Sequence, residues 1–259
     1  MYHHIQYDRD GAIAFLRLDD GATLNAMSTA MGLELVEAFT RAEGEARAIV
    51  IGSVGRAFCS GANLTGGGFA MDDPQRDAGL ALERAVNPLL RKIRHSPLPV
   101  VTAVRGAAAG VGCGLALVGD MIVAGEGAFF YQAFSKVGLA SDGGSTYLLA
   151  RTIGRVRAME MMLRGTRLAA ADALAWGLVN RVVPDAEVDA TALALARELA
   201  GGPRSLGMIR AGAWSALDTP FEDQLEVERS AQRDAGRTED FAEGLAAFKE
   251  KRKPVFRGR

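Results

Sequence analysis

Asp142 lies in "GLASDGGSTYLLAR" (residues 138–151), between a small residue and two glycines and just ahead of a helix-like segment. A carboxylate placed there has two employments. It can cap the helix by accepting backbone N–H groups, a contribution of about 1 kcal/mol, or it can move protons as an acid or base. The two pull in opposite directions. A cap is held ionised by its donors, whereas a useful base has its pKa raised by apolar surroundings. Phe134 and Leu139 would supply such surroundings if the fold brings them close.

Two glycine-marked turns are the other places where chemistry is suggested. "GRAFCSGANL" (55–64) and "GAAAGVGCGLALVGD" (106–120) each follow a short apolar segment, and the second runs into a helix. Small residues let a ligand approach the backbone, and free N–H groups at a helix start favour an anion or a developing negative charge. A plain tight turn explains either stretch equally well. The second stretch lacks the Gly-Lys-Ser/Thr ending of a phosphate-binding loop, and "GVGCGL" has the wrong spacing for a dinucleotide fingerprint.

The elements that must position these residues alternate. "AIAFLRLDD" (12–20) has the period of a strand, and "RAIVIGS" (47–53) and "LPVVTAVRG" (98–106) read as fully buried strands. "STAMGLELVEAFTRAE" (28–43) reads as a helix capped by Ser28, with Met31, Leu35, Ala38 and Ala42 on one stripe. A further helix is expected over about 79–95. Strands alternating with helices predict an α/β fold with right-handed crossovers. After Val183 the pattern is helical throughout, so the chain divides into a core (1–190) and a C-terminal helical region (191–259). "TGGGFAMDDPQRD" (65–77) is expected to be a mobile loop.

Composition narrows the partners. The 259 residues are 49% hydrophobic and 24% charged, with a formal net charge of −1, which argues against a nucleic-acid binder. The two cysteines, Cys59 and Cys113, have no metal-ligand spacing and form no disulfide framework, as in a reducing compartment. Cys59 has no evident histidine partner and reads as buried filler, and Cys113 as helix core. His3, His4 and His95 fit no metal pattern, and Tyr131 and Gln132, candidates to line an acyl pocket ahead of the Asp142 segment, read better as ordinary strand positions. No signal or transit peptide and no membrane-spanning stretch is recognised, so a soluble cytoplasmic protein is expected.

"LNAMS" (24–28), "AFCSGANL" (57–64), the second glycine turn, "AFSKVGLASDGGSTYLLAR" (133–151), "AWGLVNRVV" (175–183) and "GLAAFKEKRKPVFRGR" (244–259) occur in that order. This ordered set resembles the enoyl-CoA hydratase/isomerase (crotonase) superfamily over essentially the whole chain. The resemblance implies a crotonase-like ββα spiral core, a C-terminal helical trimerisation region, and a homotrimer or dimer of trimers. It also implies an acyl-CoA thioester as ligand, with no metal and no cofactor beyond the coenzyme A carried by the substrate.

In that family two backbone N–H groups grip the thioester carbonyl, and they fall on Ala62 and Val111. Coenzyme A is then expected along Ala26, Ser60, Ala62, Asn63, Leu64 and Gly110, with Phe248 and Lys251 contacting it, often across a subunit boundary. Asn63 replaces a common aspartate there.

The chemistry depends on what is missing. Hydration in the family uses two glutamates, and their positions are Gly114 and Phe134, neither of which titrates. The segment around Asp142 is similar to isomerases of phenylacetyl-CoA catabolism and Δ3,Δ2-enoyl-CoA isomerases, in which an aspartate at this place is the base. The resemblance therefore favours an isomerase with Asp142 as base. The alternatives are a hydratase or related CoA lyase or hydrolase, and a catalytically silent acyl-CoA-binding homologue.

Overall fold

A computed structural model describes residues 1–63 and 72–259. Leu64 and most of the expected 65–77 loop lie outside the described residues; 72–79 forms turns.

Strand β1 (Ile5–Asp10) pairs antiparallel with β2 (Ile13–Leu18). From β2 the chain enters α1 (Thr29–Glu45), where Ser28 Oγ accepts Met31 N–H at 3.1 Å as the cap. The stripe Met31, Leu35, Ala38 and Ala42 is buried, as its spacing requires. Strand β3 (Ala48–Ser53) follows, buried at every residue. The expected helix before the next strand is two pieces, a π-helical turn at Leu82–Val86 and α2 (Asn87–Arg94). Then come β4 (Val100–Val104), β5 (Ala107–Ala109), α3 (Val111–Leu117), β6 (Met121–Gly125), β7 (Phe129–Tyr131), α4 (Ser145–Thr152) and α5 (Arg155–Arg164). The last strands, β8 (Arg167–Ala169) and β9 (Arg181–Val183), flank α6 (Ala170–Ala175).

The main sheet has the order β1-β2-β3-β4-β6-β9 and is parallel beyond the first hairpin. Its alternating side chains serve two faces. Leu16, Ile49, Ile51 and Val104 pack with α1, α2 and α3, whereas Phe15, Val50, Val101 and Val123 pack with α7 (Val188–Ala200). Double-sided burial is why these strands read as continuous apolar runs.

A smaller sheet, β5-β7-β8, lies beside it, and an isolated bridge from Cys59 to Ala108 brings the first glycine turn to its edge. The turns starting at β3, β4 and β6 thus each contribute a main-sheet strand, a short segment at the small sheet or its edge (Cys59, β5 and β7), and a helix. This is the expected ββα core.

Residue 190 falls inside α7, which is bound to the sheet through Val188, Ala192, Leu195 and Ala196. Helices α8 (Ser205–Ser215), α9 (Phe221–Ala235) and α10 (Glu239–Glu250) complete the C-terminal region. No described helix is long and apolar enough to cross a membrane.

Candidate active site

The first glycine turn is built against residues 23–27. Leu24 and Asn25 adopt left-handed backbone conformations, with φ of 56° and 57°, which asparagine tolerates better than most residues. The buried Asn25 amide donates to the carbonyls of Val54 (3.0 Å) and Ala57 (2.8 Å), and its Oδ1 accepts Asp20 N–H (2.7 Å). Ser60 Oγ donates to Thr23 O at 2.9 Å. Asn25 belongs to the quoted motif, yet its tie to a loop about thirty residues downstream has no local sequence signal.

Met27 donates to Gly61 O (2.7 Å) and accepts from Asn63 N (3.1 Å). In this parallel bridge the residues flanking Ala62 make the bonds, so the Ala62 N–H points the other way. It has no acceptor among the described residues.

The second turn reaches a similar result by a different route. Gly110 has φ 51° and ψ −125°, a conformation that side-chain-bearing residues rarely adopt, and its N–H donates to Tyr131 O at 2.8 Å. Val111 is the first residue of α3, so its N–H has no intrahelical acceptor, and none is found among the described residues. The turns touch: a Cβ built on Gly110 would lie 3.7 Å from Gly61 Cα. Ala62 and Val111 line one cavity of about 370 Å³, together with Ser60, Asn63, Gly110 and Asp142.

Asp142 does not cap α4. The residue preceding the helix is Gly144, in a left-handed conformation, and no side chain caps that end. Asp142 takes part through its backbone, its carbonyl accepting Ser145 N–H at 3.0 Å. Its carboxylate Oδ1 is buried without a hydrogen-bond partner among the described residues. That desolvation pushes the pKa up to about 6. Phe134, Val137 and Leu139 line the same cavity, so the apolar surroundings anticipated from sequence are present. The other charged lining residues, Asp77 and Arg84, are exposed, and Asp77 Oδ1 accepts Gly79 N–H at 2.7 Å.

Ala26 is buried beside the first turn without lining the cavity. Phe248 is 82% exposed and Lys251 ends α10; neither lines the cavity of its own chain. Cys59 and Cys113 are buried, and burial pushes their thiols up to about 11 and about 12, which suits filler rather than nucleophiles. Among the described residues no three His, Cys, Asp or Glu side chains gather as metal ligands.

The sequence description of enoyl-CoA hydratase/isomerase matches residues 8–259. The chain belongs to the enoyl-CoA hydratase/isomerase family. A Rhodobacter capsulatus protein described as a probable enoyl-CoA hydratase is 42% identical over 263 residues, covering 100% of this chain and 99% of that one. The 1,2-epoxyphenylacetyl-CoA isomerase of Escherichia coli K12 is 41% identical over 247 residues, 94% of each chain. The crystal structure of an enoyl-CoA hydratase from Polaromonas sp. JS666 matches with a TM-score of 0.89 at 33% identity, covering 98% of this chain and 99% of that one.

Within this enoyl-CoA hydratase/isomerase fold, of the two positions where the family resemblance places hydration glutamates, Gly114 is closed to any side chain and Phe134 presents an apolar ring to the cavity. A Cβ on Gly114 would lie 1.8 Å from the carbonyl oxygen of Gly143, so backbone from the Asp142 turn fills the space of a side chain. A Cβ on Gly143 would in turn meet Val111 Cα at 2.9 Å. Phe134, 8% exposed, packs its ring where a Gly110 Cβ would be 3.4 Å away. Absence of a side chain at Gly114 is what lets the Asp142 turn lie against the helix carrying Val111.

Proposed function

We propose that this family member is an acyl-CoA isomerase that shifts a double bond, or rearranges a ring-derived CoA thioester, with Asp142 as its single base. The observation that carries the reading is one desolvated, unpartnered carboxylate facing the cavity that also receives two orphan N–H groups. In a 3-enoyl thioester, the Asp142 carboxylate removes a proton from C2. The electron pair moves onto the carbonyl oxygen, and the resulting dienolate is held by the N–H groups of Ala62 and Val111. As the carbonyl reforms, C4 takes the proton back from Asp142. The double bond has then moved from C3–C4 to C2–C3, and the carboxylate is regenerated. Donors fixed where the charge develops contribute most in a dry site, about a hundredfold or more each.

Hydration would need a second group to position the attacking water and share its proton transfer to C2, and Gly114 and Phe134 provide none. The test is to follow isomerisation of a 3-enoyl-CoA and hydration of crotonyl-CoA in parallel. Isomerisation is expected to exceed hydration by at least about a hundredfold in kcat/KM, the scale of one acid–base group. Hydration as the faster reaction would sink the reading. Tight acyl-CoA binding without turnover of any thioester would indicate the silent homologue.

The C-terminal helices support the expected homotrimer or dimer of trimers. Phe221, Leu225, Phe241, Leu245 and Phe248 are exposed on α9 and α10, and a groove of about 1030 Å³ runs between α8, α9 and α10. So many large apolar side chains on one region suit burial against another copy. Sedimentation equilibrium is expected to give three or six chain masses; a single-chain mass at micromolar concentration would remove the proposal. A cytoplasmic location fits the two unpaired, buried thiols.

A further inference from the structure

Asp142 and the Val111 N–H reach the cavity from different segments, and a base is useful only at a fixed distance from the oxyanion donors. Packing of Gly143 on α3 provides one constraint. A second runs through Gln132, a residue read from sequence as an ordinary strand position. Gln132 follows β7 directly and is fully buried. Its backbone neighbour Tyr131 accepts the Gly110 N–H at 2.8 Å, which ties it to the turn presenting Val111. Its side-chain Nε2 donates to Ser145 Oγ at 3.0 Å, and Ser145 is also fully buried. Ser145 N–H donates in turn to the Asp142 carbonyl at 3.0 Å. A continuous chain of bonds therefore joins the oxyanion turn to the residue bearing the carboxylate.

The other polar atom of the Gln132 amide, Oε1, is buried with no partner among the described residues. An apolar side chain of similar length would avoid that desolvation, so stability alone is a poor reason for glutamine here. A polar group retained with one side unsatisfied fits a role in holding Ser145.

We infer that Gln132 is a positioning residue, which through Ser145 fixes the Asp142 turn relative to the Val111 N–H. The inference rests on Asp142 being the base. Gln132 touches no reacting atom and lines no part of the cavity. Its effect is geometric: a misplacement of about 1 Å in a reacting pair can lower the rate about a hundredfold.

Gln132→Met keeps the length and removes the amide, and Ser145→Ala removes the hydroxyl while keeping the backbone bond to Asp142. Each is expected to lower kcat by about 10- to 100-fold, with KM for the acyl-CoA unchanged within about threefold. The double variant should be no worse than the poorer single one, because both cut the same tie. The acidic limb of the pH–rate profile, expected near 6 in the wild type, should move lower as the loosened turn admits water to the carboxylate. A purely structural role would lower the melting temperature and leave kcat and the pH limb in place at a permissive temperature, and that result overturns the inference. Should Gln132→Met not fold, Ser145→Ala decides alone. All variants are assayed on whichever turnover Asp142→Asn abolishes, so an error about isomerisation against hydration does not decide the outcome. If no turnover depends on Asp142, the assignment of the base falls and this inference with it.

Discussion

Asp142→Asn is expected to lower kcat for isomerisation of a 3-enoyl-CoA by about a thousandfold, while acyl-CoA binding stays within a few-fold of wild type. Removing one positioned acid–base group typically loses about 10²–10⁴ in rate, and here no second titratable group stands at Gly114 or Phe134 to compensate. The two N–H donors belong to Ala62 and Val111 backbone and survive the substitution, so affinity for the thioester persists. In the wild type the base works only when ionised. With its pKa raised to about 6, kcat/KM should be level above about pH 7 and fall about tenfold per pH unit below about pH 5.

The same substitution is expected to raise stability at neutral pH. The folded-state pKa of Asp142 lies above its unfolded value, about 3.9. Between those values the folded chain holds a proton that the unfolded chain has released. Folding is therefore favoured as pH falls through the window from about 6 to about 4, and burdened above it. In a dry site that burden would be about 3 kcal/mol, and water at the cavity mouth reduces it to about 1–2 kcal/mol. Denaturation of wild type and Asp142→Asn at pH 7 and pH 4 measures it. The variant should be the more stable at pH 7, and the advantage should vanish at pH 4. A capping aspartate gives the opposite sign: asparagine keeps the capping acceptor but loses the charge's attraction to the helix N-terminus, so the variant would be less stable at pH 7 by about 0.3–1 kcal/mol. Activity retained together with stability lost would show that Asp142 is a structural residue.

The second large effect is expected at Gly114. Adding one methyl group, Gly114→Ala, brings Cβ to 1.8 Å from the Gly143 carbonyl oxygen, and backbone cannot swing aside as a side chain can. Either α3 moves, taking the Val111 donor with it, or the turn moves, taking Asp142. Both separate the base from the oxyanion donors. Loss of kcat of about a hundredfold or more is expected, with destabilisation of about 1–3 kcal/mol from overpacking. Gly114→Glu should fare no better and should not generate hydration, because the added carboxylate displaces the turn it would have to cooperate with. Steady-state kinetics and thermal unfolding of both variants check this. Gly114→Ala with wild-type kcat and melting temperature would mean that the turn yields freely and does not depend on glycine.

These effects share one physical basis. The position of a missing glutamate on α3 is occupied by the loop bearing the aspartate, so this chain presents one buried carboxylate, Asp142, at the cavity where the family resemblance would lead one to look for two.

The amino-acid sequence by itself determined a good deal here. The buried strands at β3 and β4, the Ser28 cap and the stripe of α1 are visible because burial on both faces, or on one face, imposes a period on neighbouring residues. The glycine turns announce themselves because only glycine accepts the conformation at Gly110. Strands β5, β7, β8 and β9 are three residues each and leave no periodic trace; pairing with distant partners makes them strands. The tertiary structure alone decided between cap and buried carboxylate for Asp142, and it alone revealed the Gly143–Gly114 contact and the Gln132–Ser145 tie. Each of these depends on which atom of a distant segment occupies a few ångströms of space, and spacing along the chain carries no record of that.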